Sequence, residues 1–323
     1  MFQKNCIVLI YHRVTELKND PQLLAVNPSN FEDQIKYLKE NYNILSLKEL
    51  IECLKKKKVP SKSVVITFDD GYLDNYNQAY PILKRYQVPA TIFVSSGMIS
   101  SNREFWWNEL EYIFFEAEDI ISKALELEIK GKFHRWFIRS SPGALKVYDD
   151  LHPLIKGLNI EAREAIMENL FRWAGKERIA RPTHAVMDVA ELKMLAQSNI
   201  IEIGAHTCLH PRLSNESCEV QTKEIEGSKL DLEKLLQNEV KSFSYPFGTS
   251  ADFNSDSVGA VKKAGYICGI ANNQGCVTND TDPFTVPRML VRNWTTSEFA
   301  NNLKAFAKKP ENMVNFITSK ILR

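Results

Sequence analysis

Two stretches of this chain place reactive side chains at spacings that invite chemistry. The first is Thr67-Phe68-Asp69-Asp70-Gly71, where two adjacent carboxylates close an apolar run and meet a glycine. Neighbouring anions repel, and a cation relieves that repulsion. One carboxylate on a metal ion, with the other left as a free base, is such a solution. The second stretch is His206-Thr207-Cys208-Leu209-His210. Two imidazoles four residues apart share one face if the stretch is a helical turn, and can then hold one metal. With one of the carboxylates they make a three-ligand set for zinc or a similar divalent ion, leaving positions open for water and substrate. A divalent ion acidifies water at such a site, and the other Asp is there to take the proton. Taken singly, each stretch has a plainer reading: a turn with two solvated acids, and a chance pair of histidines.

Two weaker clusters accompany them. In Ser244-Tyr245-Pro246-Phe247-Gly248 the proline and glycine fix a tight backbone that can offer an N–H to an oxyanion and aromatic faces to a sugar ring. By itself it is an ordinary strand-to-loop turn. Tyr11-His12 ends the short apolar run Cys6–Tyr11, and His12 can protonate a leaving group, although a lone histidine after a strand is more often structural. Trp106, Trp107 and Trp294 offer rings for stacking, and the first two suit equally the anchoring of a helical segment. Asp74 suits the capping of a helix after Gly71 and is given no catalytic role. The lysines at 55–58 read as a solvated helix end.

All four clusters need strand ends to hold them. Cys6–Tyr11, Val64–Phe68, Ala90–Val94, Ile201–Gly204, Val240–Tyr245, Tyr266–Ala271 and Thr285–Val291 read as strands, with a short one at Asn43–Leu45. Helices are expected over Ser29–Glu40, from the Ser46 cap through Leu54, over Tyr72–Tyr86, from the Asp188 cap through Gln197, over Glu216–Gln237, Ser255–Ala264, Thr296–Lys308 and Pro310–Leu322. Strands alternating with helices argue for parallel strands and right-handed crossovers. The tally fits an α/β protein built as a distorted (β/α) barrel, whose sites lie at the C-terminal lip of the strands. The rhythm breaks at about 98–185, a stretch rich in Glu, Lys, Trp and Phe that reads as a helical insertion with a short hairpin near Leu127–Phe137. The whole, residues 1–323, is expected to form one barrel domain with that insertion and C-terminal helices at about 296–322.

With 323 residues, 44% apolar and 25% charged, the chain can bury a large core. A net charge of +1 provides no basic field for nucleic acid. The six cysteines form no CxxC pair and are irregularly spaced, which favours reduced thiols and the cytoplasm. The apolar run at the N-terminus is too short for a secretory signal or a membrane span, so a soluble protein, with at most peripheral membrane contact, is expected.

With TFDDG at Thr67–Gly71, HTCLH at His206–His210, YPFG at Tyr245–Gly248 and LIYHRV at Leu9–Val14, the chain resembles the NodB-homology polysaccharide deacetylase family, in the branch that opens on a YH motif. The resemblance spans roughly Leu9–Val291 and implies a distorted (β/α)7 barrel. It implies Asp69 as catalytic base, Asp70, His206 and His210 as metal ligands, and the Tyr245 N–H as an oxyanion donor. Pro246, Phe247 and Gly248 complete that substrate-facing turn. The chain departs from the family pattern twice. No Arg precedes the proline of the third motif to orient the base, so Arg288 in VPRM is the candidate replacement. No histidine follows His210, so the general acid is expected to be His12, ahead of His134, His152 and His184. Trp107 is retained as a candidate sugar-stacking ring.

The resemblance implies a hydrolase that removes N-acetyl groups from an amino-sugar poly- or oligosaccharide, or from its lipid- or nucleotide-linked precursor. Its expected cofactor is a divalent ion, Zn2+ first, with Co2+, Ni2+ or Mn2+ as substitutes. Removal of O-acetyl groups, or hydrolysis of another non-peptide C–N amide bond, is the alternative chemistry. A non-catalytic carbohydrate-binding protein on the same fold is the alternative of another class. The expected partner is a carbohydrate bearing acetamido groups, and the expected location is the cytoplasm, with the inner face of the membrane as an open alternative.

Overall fold

The structure, a computed structural model, describes residues 5–115 and 120–308. The helix expected at Pro310–Leu322 lies outside these residues. The chain divides into two compact units, residues 1–100 with 186–323, and residues 101–185.

The main sheet of the first unit has eight strands among the described residues: β1 (Cys6–Tyr11), β2 (Asn43–Ile44), β3 (Ser63–Phe68), β4 (Ala90–Val94), β5 (Ile201–Ala205), β6 (Ser242–Ser244), β7 (Cys268–Ile270) and β8 (Met289–Leu290). Their order is β7-β6-β5-β4-β3-β1-β8, with β2 also on β3, and every pairing is parallel. All six residues of β1 and all six of β3 are buried, as continuous apolar runs require when a parallel sheet is covered on both faces. The sheet curls until its ends meet. Val286, just before β8, donates to the Gly269 carbonyl at 3.0 Å, and Ala271, just after β7, donates to the Val286 carbonyl at 2.8 Å. The result is the curled, parallel α/β barrel that the strand count anticipates. Because all strands run the same way, Tyr11, Phe68, Val94, Ala205, Ser244 and Leu290 end on one lip.

The second unit holds helices at Trp106–Phe115, Ser141–Lys156 and Ile160–Ala174, and a two-stranded antiparallel hairpin, Ala124–Ile129 with Lys132–Phe137. Its last segment is fixed by ion pairs to the first helix and to Glu104 just before it. Arg181 meets Glu104 at 2.8 Å and Glu111 at 2.6 Å, and Arg178 meets Glu109 at 2.7 Å.

Three expectations are corrected here. The stretch read as a continuous helix over Tyr72–Tyr86 is a π-turn at Asn75–Ala79 followed by an α-helix at Tyr80–Tyr86. Pro81 has no N–H to continue the ladder, and the Tyr80 N–H reaches back to the Asn75 carbonyl. Asp74 does not cap this segment. Its carboxylate receives the Arg13 guanidinium at 2.9 Å and the Val14 N–H at 2.8 Å. Finally, the strand expected over Thr285–Val291 shrinks to Met289–Leu290, because Pro287 lacks a ladder donor.

Gly204 marks the tightest packing in the sheet. A Cβ there would lie 2.4 Å from the Phe93 ring and 2.8 Å from the Ser242 hydroxyl. Gly204→Ala should therefore destabilise the protein by about 1–3 kcal/mol. Gly259→Ala, in a helix with open space around the new methyl, should stabilise it by about 0.5–1 kcal/mol. Denaturant melts of the two variants check both signs.

Candidate active site

The lip of the first unit gathers the four clusters. At the end of β3, Asp69 and Asp70 are both buried, at 3% and 2% exposure. The Asp69 N–H donates to the Tyr11 carbonyl at 3.1 Å, extending the β1–β3 pairing by one residue. Asp70 and Gly71 then both adopt φ of +76°. Asp tolerates that left-handed region better than most residues, and His206 Nε2 lies 3.8 Å from Asp69 Oδ2. A side chain at Gly71 would also meet Val94 Cγ1 at 3.0 Å.

Asp70 faces the histidines. Its Oδ1 is 3.6 Å from His206 Nε2 and 3.4 Å from His210 Nε2. The ligand atoms of the three residues lie within 4.8 Å of one another, and all three residues are buried. His206 Nδ1 is 2.7 Å from the Ser244 carbonyl, which can only accept. Nδ1 therefore carries the hydrogen, and the Nε2 lone pair points at the carboxylate. Acceptors converging at this spacing form a donor set for one divalent cation. Without a cation, the two carboxylates instead favour a proton on the His206 ring, in the place a divalent ion would take. Burial alone would lower the His206 pKa, but Asp69 and Asp70 outweigh it and push it up. Burial would raise Asp70, yet His206 and His210 hold it far below the ordinary carboxylate range.

The loop carrying the histidines corrects the expected helical turn. It is not helical: Thr207 and His210 sit at φ of +64° and +51°. Its backbone is held from three sides. His206 N–H donates to the Val94 carbonyl at 3.0 Å, and Ser96 and Gly97 donate to the Thr207 and Cys208 carbonyls at 3.1 and 3.0 Å. Glu224, on the helix Cys218–Leu236, accepts the Cys208 and Leu209 N–H groups on one oxygen at 2.9 and 2.8 Å. Sequence reasoning missed Glu224. Its one signal is a charged residue among Gln221, Ile225, Ser228 and Leu232 on the helix's buried face.

Asp69 has its own partner. Arg288 Nη1 donates to Oδ1 at 2.8 Å and Nη2 to Oδ2 at 2.7 Å, a bidentate pair. Ser244 Oγ donates to Oδ2 at 3.1 Å and accepts from Arg288 Nη2 at 3.0 Å. Arg288 Nε donates to the Ala271 carbonyl at 3.0 Å, so the guanidinium is fixed on all sides. Burial would raise the Asp69 pKa, but Arg288 foremost, then His206, keeps it lowered and the carboxylate ionised.

His12 is half-buried at the end of β1, and its Nδ1 has no hydrogen-bond partner among the described residues. Burial lowers its pKa, against the pull of Asp70 and Asp69, so the ring rests neutral. Asn75 Nδ2 donates to the His12 carbonyl at 2.8 Å, and the Arg13–Asp74 pair pins the next residue. These supports were also invisible in the sequence.

Tyr245 requires a correction. Its N–H donates to the Ile270 carbonyl at 3.0 Å as part of the sheet, so it is not available to an oxyanion. Its ring stacks on Phe253 at 4.1 Å and its hydroxyl donates to the Phe284 carbonyl at 3.0 Å. The turn that follows is the part that faces the histidines: the Phe247 ring lies edge-on to His210 at 4.7 Å. Phe247 and Gly248 both have positive φ, and a Cβ at Gly248 would meet Asn272 N at 2.8 Å. Pro246 accepts the Gly248 N–H at 2.6 Å. Trp107 belongs to the other unit, where it is buried and its ring stacks on Phe105 at 4.6 Å.

Removing the Glu224 carboxylate strands two backbone donors of the ligand loop. Glu224→Ala should cost about 1–3 kcal/mol of stability. It should also weaken Co2+ binding by roughly 10–100-fold, as loss of outer supports does at metal sites. Calorimetric melting and titration of the visible Co2+ absorption measure the two effects separately.

A family model for polysaccharide deacetylase matches residues 56–131 and 146–269, more than half of the chain. A poly-beta-1,6-N-acetyl-D-glucosamine N-deacetylase of Staphylococcus aureus is 26% identical over 308 residues, covering 95% of this chain and 80% of the relative. The protein of the same description from Staphylococcus epidermidis is 27% identical over 308 residues, covering 90% and 81%. Among solved structures, IcaB from Ammonifex degensii superposes with a TM-score of 0.61 at 18% identity, covering 94% of this chain and 97% of that one. The Streptococcus pyogenes deacetylase PplD, in complex with acetate, gives 0.60 at 21% identity, covering 92% and 97%.

Proposed function

The chain belongs to the polysaccharide deacetylase family, and we propose that it hydrolyses N-acetyl groups on a polymer of β-1,6-linked N-acetylglucosamine, using a divalent cation with Zn2+ as first choice. The observation that carries the reading is the division of the Asp69-Asp70 pair, one carboxylate held by Arg288 and the other facing two imidazoles. The substrate is taken from the curated relatives, which are N-deacetylases of that polymer.

In the proposed reaction Asp70, His206 and His210 would hold the cation, which would supply Lewis acidity to the acetamide carbonyl and to water. Asp69, kept ionised and oriented by Arg288 and Ser244, takes the proton as the water oxygen adds to the carbonyl carbon. The C–N bond then breaks, acetate is released, and the amine nitrogen needs a proton. His12 would deliver it: its ring is neutral at rest and its Nδ1 has no partner among the described residues, so it would take up the proton that Asp69 received from the water and pass it to the nitrogen. Phe247, against His210, walls the site beside the carbonyl. The proposal includes action in the cytoplasm, with the inner membrane face as an open alternative. Support comes from six cysteines that all stand as free thiols.

Acetate release from a β-1,6-linked N-acetylglucosamine pentasaccharide is the direct assay. Chelation should abolish it and added Zn2+ or Co2+ restore it. His12→Ala should lower kcat by about 10²–10⁴-fold, with partial rescue by added imidazole. Undiminished release after chelation, or release from O-acetylated sugars alone, contradicts the reading.

A further inference from the structure

A second concave feature lies on the same lip. The loops that follow β1 and β8 diverge there and enclose an open cleft of about 860 Å³. One wall is Thr15–Asn27 and the other is Arg292–Trp294 with the helix Thr296–Lys308. That volume is in the range of small-molecule sites. Trp294 is six residues beyond Arg288 and the first wall starts three residues beyond His12, so the cleft adjoins the site along the chain on both sides. Arg292, on its wall, is close enough to bear on the charge of His12.

The cleft is built rather than incidental. Asp20 accepts the Leu24 and Ala25 N–H groups at 2.9 and 2.8 Å, and Arg292 Nη1 donates to the Gln22 carbonyl at 2.7 Å. Gln34 Nε2 donates to the Trp294 carbonyl at 2.9 Å, and the Trp294 ring packs half-buried on the core. The aromatic wall is thus fixed in advance. Around it stand planar amides. Asn293 Oδ1 accepts from the Asn27 N–H at 3.0 Å and Asn30 Nδ2 at 2.7 Å, which turns its own NH2 outward. Asn301 and Asn302, on the helix, line the cleft beside it. Three carboxylates and one guanidinium line the cleft: Glu16, which accepts from Asn27 Nδ2, Asp20, Glu298, which accepts from Thr295, and Arg292.

An aromatic face suits the C–H face of a pyranose, amides suit its paired hydroxyls, and a surplus of carboxylate favours an ammonium and repels an anion. We propose that this cleft is a subsite for a neighbouring amino-sugar residue of the polymer, favouring one whose amine is already free. Trp294 stacks on its ring, and Asn293, Asn301 and Asn302 bind its hydroxyls. The subsite deepens, and rests on, the amino-sugar polymer reading. It would let the protein grip a chain across more than the unit being hydrolysed, and bias it towards stretches already carrying free amines.

Titration calorimetry of the full chain with a β-1,6-linked glucosamine pentasaccharide tests this without relying on turnover. Trp294→Ala should weaken binding roughly tenfold, and the double variant Asn301→Ala/Asn302→Ala by roughly three- to tenfold. The double change replaces two residues by the best helix former, so it guards against loss of fold. A pentasaccharide whose amines are succinylated should bind at least tenfold more weakly than the amine form. If both variants bind like the parent, if the parent does not bind the pentasaccharide, or if the succinylated chain binds equally, the subsite is refuted. Failure of the deacetylase reading shows separately, as absence of acetate release from the acetylated pentasaccharide.

Discussion

Two buried carboxylates on adjacent residues are the constraint on which the rest of this structure turns. Each anion leaves water at a cost of several kcal/mol unless it is paired and hydrogen-bonded, and two neighbours cannot share one small cation without repelling. The fold separates them. Both stand near His206 Nε2, Asp69 Oδ2 at 3.8 Å and Asp70 Oδ1 at 3.6 Å, but beyond that shared imidazole each finds a different partner. Asp69 receives a guanidinium whose planar fork matches both its oxygens. Asp70 receives two imidazole nitrogens, an arrangement completed by a divalent ion.

Arg288 explains why the barrel has to close. Its Nη1 and Nη2 reach Asp69 after β3, its Nη2 reaches Ser244 at the end of β6, and its Nε reaches Ala271 after β7. It sits at the seam where β8 joins β1 on one side and the Val286 bridge reaches β7 on the other. A sheet left open at that seam would leave Asp69 buried without its cation. The site's base and the fold's closure are therefore one interaction. The same economy appears at the histidine loop, whose left-handed backbone has no repeating hydrogen bonds of its own and depends on Val94, Ser96, Gly97 and Glu224.

Much of this was legible in the sequence, for a physical reason. Fully buried parallel strands must be continuous apolar runs, so Cys6–Tyr11, Val64–Phe68 and Ala90–Val94 announce themselves, and the acids and imidazoles that end such runs stand out. What was not legible depends on backbone turns and long-range contacts. HTCLH has helical spacing but a left-handed path, set by neighbours far away in the chain. Tyr245 lies one residue past the end of its strand, and only the pairing with Ile270 reveals that its N–H is occupied. Glu224 lies in the middle of an amphipathic helix, where a charged residue ordinarily faces solvent. Asp74 has the look of a helix cap, but Arg13, 61 residues away, claims it. Membership of the polysaccharide deacetylase family agrees with the motifs, and it leaves these local supports to be read from the structure itself.

The central claim is that neighbouring carboxylates have separate duties, Asp70 to the cation and Asp69 to the proton. Co2+ titration of Asp69→Asn and Asp70→Asn, each followed by absorption spectroscopy, separates them most directly. The account requires Asp70→Asn to weaken Co2+ binding by at least roughly a hundredfold, and Asp69→Asn to bind within a few-fold of the parent. Equal loss of binding in the two variants, or retained binding in Asp70→Asn, would contradict it.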